Sequence, residues 1–148
     1  MTPVLPDIDE LVRAALAAGL PQAHVLTLWP DDWGQRLPLV VARRVAGAAP
    51  DPRGLDLALI DVQTAATDRR TAHRLARQAR TVLFDACTAQ FAHPEAEGYL
   101  SHFGAETSGP AEIRDTHPTP GADLFRFQAT YRITARPLPQ SQLPAFGG

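Results

Sequence analysis

Five histidines, three serines and one cysteine are the side chains from which this 148-residue sequence would build metal, proton-transfer or nucleophilic chemistry. The histidines stand at 24, 73, 93, 102 and 117. No two share the short helical spacing of a zinc motif, and no HExxH occurs. His93, Glu95 and Glu97 fall in one short segment, and three polar residues in a loop read as solvated rather than as ligands. Ser101, Ser108 and Ser141 lie in no GxSxG context, and Glu106-Thr107-Ser108-Gly109-Pro110 reads as a turn. Cys87 falls at the end of a helical pattern, beside its apolar stripe, which predicts a buried thiol. A single cysteine excludes an internal disulfide and a cysteine-based zinc site. There is no GxGxxG and no P-loop. Asp61 interrupts an apolar run. A lone buried carboxylate is costly, so Asp61 is expected to pair with an arginine or to lie at a sheet edge. The expectation is of no enzyme, no metal and no cofactor.

Charge is what this sequence concentrates. Residues 69–80 hold five arginines, at 69, 70, 74, 77 and 80, and no acid. All fourteen basic residues of the chain are arginine, so each can make forked contacts. The net charge is nevertheless -2, which gives no global reason to expect nucleic-acid binding.

The elements that must position these residues follow from periodicity. Residues 7–18 read as a helix, with Ile8, Leu11, Val12, Ala15 and Leu16 on one face. Asp7 and Glu10 have capping-box spacing, and Gly19 and Pro21 supply the stop. Residues 23–29 and 39–46 read as strands, and the turn-rich 30–38 between them as a loop. Gly47 to Gly54 reads as a long, mobile hairpin loop. The run 55–64 is apolar on both faces, as in a central strand. A helix from about 69 to 87 is capped by Asp68 and has an apolar stripe of Ala72, Leu75, Ala76, Ala79, Val82, Leu83 and Ala86. At about 100° per residue, Arg70, Arg74 and Arg77 lie on the far side. Phe84 falls there too, near Arg77 and Arg80.

Short strands are expected near 98–103 and 110–115. The clearest element is 124–136, where Phe125, Phe127, Ala129, Tyr131 and Ile133 alternate with Arg126, Gln128, Thr130, Arg132 and Thr134. That alternation predicts one face in the core and one face wet or in an interface. The whole predicts an α+β fold: a small, mostly antiparallel sheet of four or five strands with two helices packed on one face. We expect one domain over 1–136 and an extended, Pro/Gly-rich tail over 137–148. The N-terminus lacks a signal-peptide pattern, and no apolar run approaches a membrane span. The expected place of synthesis is a cytoplasm.

In its order of segments the chain resembles the tail terminator (tail completion) proteins of long-tailed bacteriophages. The pieces that carry the resemblance are Ile60-Asp61-Val62-Gln63-Thr64-Ala65, followed by the Ala/Arg/Leu helix. Then come Glu106-Thr107-Ser108-Gly109-Pro110 and Phe127-Gln128-Ala129-Thr130-Tyr131-Arg132-Ile133-Thr134. The similarity spans about 7–136. It departs at Thr107, inserted into the "ESGP" piece, and in the 28–38 loop with Trp29 and Trp33. The resemblance implies a small mixed sheet with helices packed on it and no cofactor. It implies a structural virion protein that forms a ring, commonly hexameric, at the head-proximal end of the tail tube. The implied partners are further copies of itself, the major tail tube protein and the head–tail connector.

A ring needs unlike patches that meet between copies. The candidates are Arg70, Arg74, Arg77 and Phe84 on the helix, and Arg126, Arg132 and Arg136 on the last strand. The arginines would dock against acids of a neighbouring subunit such as Asp31, Asp32, Asp51 or Glu112. Alternatively they would face a channel and make sequence-blind contacts with passing DNA. Other readings are a different neck or connector protein, or a small nucleic-acid-binding protein.

Overall fold

The structure is a computed structural model that describes residues 2–113 and 124–139. Helix α1 spans Ile8–Gly19. The Asp7 carboxylate accepts the Glu10 N–H at 3.2 Å and caps it. The Glu10 side chain turns to Arg13, whose Nε donates to it at 2.9 Å, rather than back to the cap. Strand β1 is short, His24–Leu26, and strand β2 runs from Leu39 to Asp51. Strand β3 spans Leu55–Ala66, helix α2 Arg69–Thr88 and strand β4 Ala92–His93. Strands β5, Gly98–Ile113, and β6, Phe125–Pro137, follow.

One six-stranded sheet results, in the order β1-β2-β3-β6-β5-β4. The α+β expectation holds in outline, but the sheet has more than four or five strands. One neighbouring pair, β1 with β2, is parallel. Two further differences have a common cause. Gly47 to Gly54 is not a long loop: β2 and β3 continue through it and only 52–54 lie between them. Gly47 takes φ +124 beside a bulge, a conformation that glycine adopts freely, and a β-carbon there would strike the Leu57 carbonyl. The expected pair of strands near 98–103 and 110–115 is one strand as far as Ile113, with register shifts between Leu100 and Ala111 that absorb Gly104, Gly109 and Pro110. Bulges carry strands through glycine and proline that read, in sequence, as loop. Positions 114–115 and the tail from 140 lie outside the described residues.

The sheet curls. Helix α2 crosses β3, β6 and β5, whereas α1 meets β1 and β2 on one side and β4 and β5 on the other. Helix α1 therefore bridges the two margins of a half-barrel, instead of lying beside α2 on a flat face. The concave core joins Leu11, Val12 and Leu16 of α1 to Leu75, Ala79 and Leu83 of α2. Ile60, Tyr131 and Ile133 supply the sheet's share. Alanines on the α2 stripe let the helix approach closely, and Thr64 Oγ1 donates to the Ala72 carbonyl at 2.9 Å across the contact. On the convex side Leu39, Val41 and Ala65 are covered by Leu26, Trp29, Trp33 and Leu37. The loop between β1 and β2 is thus a second, smaller layer. Leu138 is buried, and its N–H donates to the Glu97 carbonyl at 3.3 Å.

Candidate interaction surface

Helix α2 begins at Asp68, whose carboxylate accepts the Thr71 N–H at 2.8 Å. The negative cap offsets part of the repulsion between Arg69, Arg70 and the positive end of the helix. The five arginines then divide. Arg69 reaches Glu112 of β5 at 3.1 Å and lies over the Phe127 ring, 5.4 Å from its centre. Arg80 reaches Glu106 of β5 at 3.0 Å. These two tie the helix to the sheet margin. Arg70, Arg74 and Arg77 form no ion pair among the described residues. Arg74 and Arg77, with Gly19, Leu20, Gln78 and Val82, line an open groove of about 450 Å³ between α2 and the end of α1.

Most of the acids expected to serve a neighbouring subunit are engaged within the chain. Glu112 holds Arg69, Asp32 holds Arg36 at 2.9 Å, and Asp51 holds Arg53 at 3.1 Å. Asp31 alone of the four makes no ion pair among the described residues.

Phe84 is 54% exposed, the one large apolar side chain on that helix face to be so open. Its ring meets Phe103 of β5 edge-on, centres 5.7 Å apart, and Phe103 in turn packs on Tyr131 at 5.3 Å. Arg80, Thr81, Phe84, Phe103 and Glu106 wall a groove of about 370 Å³. Two polar atoms near it are buried without a hydrogen-bond partner among the described residues: Glu106 Oε1 and the Tyr131 hydroxyl. Burial, with the Glu106 charge adding to it, pushes the Tyr131 phenol up to about 12. Neither Phe103 nor Glu106 stood out in the sequence, because one sat in an irregular segment and the other in an apparent turn.

The last strand's arginines are not equivalent. Arg126 is half-buried: its guanidinium stacks 4.6 Å over Trp29 and donates to Gln63 Oε1 at 2.7 Å. The face expected to be wet is at that end covered by the β1–β2 loop. Arg132 and Arg136 are exposed. Asp61 departs from both expectations. It lies in a central strand, only 8% exposed, and accepts from the amides of Gln63, at 3.2 Å, and Gln128 rather than from an arginine. Two amide donors satisfy the carboxylate where it stands.

Among the described residues no three of His, Cys, Asp and Glu stand close enough to hold a metal. His93 Nε2 lies 3.6 Å from Glu10 and 3.8 Å from Glu95. Cys87 is buried, and burial pushes its thiol up to about 12. No helix among the described residues is long and apolar enough to cross a membrane.

A family model described as phage tail termination protein matches residues 4–142. No curated protein matches the chain.

Proposed function

The chain belongs to the phage tail termination protein family, and on that premise we propose that it is a subunit of a six-membered ring, which caps the head-proximal end of the tail tube and joins it to the head connector. The family is a structural one, and its members act in the virion tail. What supports a ring here is the inequality of the sheet's two margins. Strand β1 covers β2 only over Leu39–Val41, and Asp9 Oδ1 takes the Arg44 N–H at 2.6 Å. From Val45 to Asp51 no strand pairs with the outer side of β2 among the described residues. Strand β4 covers β5 only at Gly98 and Tyr99, the Leu100 N–H adds a bond to the Phe91 carbonyl at 2.9 Å, and from Ser101 to Ile113 no strand pairs with the outer side of β5 among the described residues. Two unlike open edges join head to tail, and a head-to-tail contact closes into a ring when the rotation permits.

The test is the mass of the purified chain, and of the chain on isolated tail tubes, with negative-stain images. A closed ring at the tube tip is the expected result. A lone subunit away from any rotational axis on the particle would end this reading.

A second contact has its own support. Arg70, Arg74 and Arg77 make no ion pair among the described residues, and three of the four candidate acids are already taken. We assign them to weak, sequence-blind contact with the DNA that passes the ring.

A further inference from the structure

We propose that the groove walled by Phe84 and Phe103 is the seat of the β2 arm, residues 45–51, of a second copy of this chain. The proposal rests on the ring reading and names its interface. The groove lies along β5 where β4 no longer covers it. The arm lies along β2 where neither β1 nor α1 covers it, and it carries Val45, 53% exposed, with Ala46, Gly47, Ala48 and Pro50 also exposed. Each is the kind of surface that natural sheets leave open only if something pairs with it or the edge is blunted.

Direction and level agree. Strand β2 is antiparallel to β3, β3 to β6, and β6 to β5, so β2 runs opposite to β5. A copy turned about an axis along the strands keeps that sense, and its β2 meets this β5 antiparallel. Rotation also carries no rise along the axis. One row crosses the sheet through Arg44, Ile60, Tyr131 and Glu106, and another through Gly47, Ala58, Ile133 and Phe103. The next copy's Arg44–Gly47 segment thus arrives level with Glu106–Phe103, and Val45 faces the groove.

The chemistry agrees as well. The groove has apolar walls for Val45. Glu106 Oε1 is buried and lacks a donor among the described residues. The arm brings unpaired backbone N–H groups. A strand added to an open edge, with a side chain in an adjacent pocket, is a recurrent mode of recognition.

The test is a disulfide between copies. A chain with Ala46→Cys and Ala105→Cys, which fall in one row through Leu59 and Arg132, oxidised at high concentration, is expected to give a ladder of covalent oligomers ending at the ring size. Each single variant is expected to stop at dimer. Cys87 stays silent because it is buried. Phe84→Asp, at an exposed site, is expected to raise the concentration for half-assembly at least tenfold while its melting curve matches the parent. Parent rings with no ladder from the double variant, or rings unaffected by Phe84→Asp, would overturn this interface and leave the ring standing. A parent chain that stays monomeric at every concentration and on tube tips overturns both.

Discussion

Gly19, in the last turn of α1, lies so close to Val82 of α2 that a β-carbon there would come within 2.6 Å of Val82 Cγ1. The two helices meet at that point because one of them has no side chain. Gly19→Ala is expected to cost about 1–3 kcal/mol of folding stability, the usual range for overpacking. Val82→Ala in the same chain makes room and should recover part of it. Urea unfolding of the two single variants and the double variant measures the coupling. A coupling below about 0.5 kcal/mol would mean that the helices simply shift apart.

Thr64 is 1% exposed, and its hydroxyl ties β3 to the first turns of α2. Thr64→Val keeps the shape and removes the donor. The expected loss is about 1 kcal/mol, the net value of one buried hydrogen bond. Amide exchange in the first turn of α2 should quicken more than in α1. Equal changes in the two helices would show that the bond does not act locally.

The alkaline limb of stability should be set by two groups. Burial raises Cys87 from 9.0, and burial with the Glu106 charge raises Tyr131 from 10.0, both to about 12. Below pH 9 both are neutral in folded and unfolded chains alike, and their contribution is fully present. Between about 9 and 12 the unfolded chain loses these protons first, so stability falls as pH rises. Tyr131→Phe should flatten part of that fall. At neutral pH it should cost little, because the hydroxyl it deletes has no partner. An unchanged alkaline slope in Tyr131→Phe would assign the fall to other groups.

Regular periodicity made both helices and the last strand legible. Asp7 and Asp68 cap where their spacing says, and Phe127, Ala129, Tyr131 and Ile133 point inward as alternation demands. Gly47, Pro50, Gly109 and Pro110 misled, because in isolation they break strands. Only the paired neighbour strand shows that a bulge accommodates them. Among the candidate contact residues, exposed Phe84 and unpaired Arg70, Arg74 and Arg77 stand where helical geometry puts them. Arg126 is covered by Trp29, from a loop almost a hundred residues away in sequence, and no periodicity records that contact. The groove was invisible for the same reason: Phe84 and Phe103 meet only once the sheet has curled.

Charge reversal of Arg74 and Arg77 to Glu separates the two uses of the arginine face. Neither residue makes an ion pair among the described residues, so the melting curve should match the parent. If the face touches passing DNA, rings still form. The parent's weak binding to a short duplex at low salt is then lost in the variant. Each phosphate contact removed should lower the dependence of log binding on log salt by about 0.9. A binding curve insensitive to salt, or to the reversal, would remove the DNA contact. Loss of the ring itself would return these residues to the subunit interface, with Asp31 the one candidate acid still free to receive them.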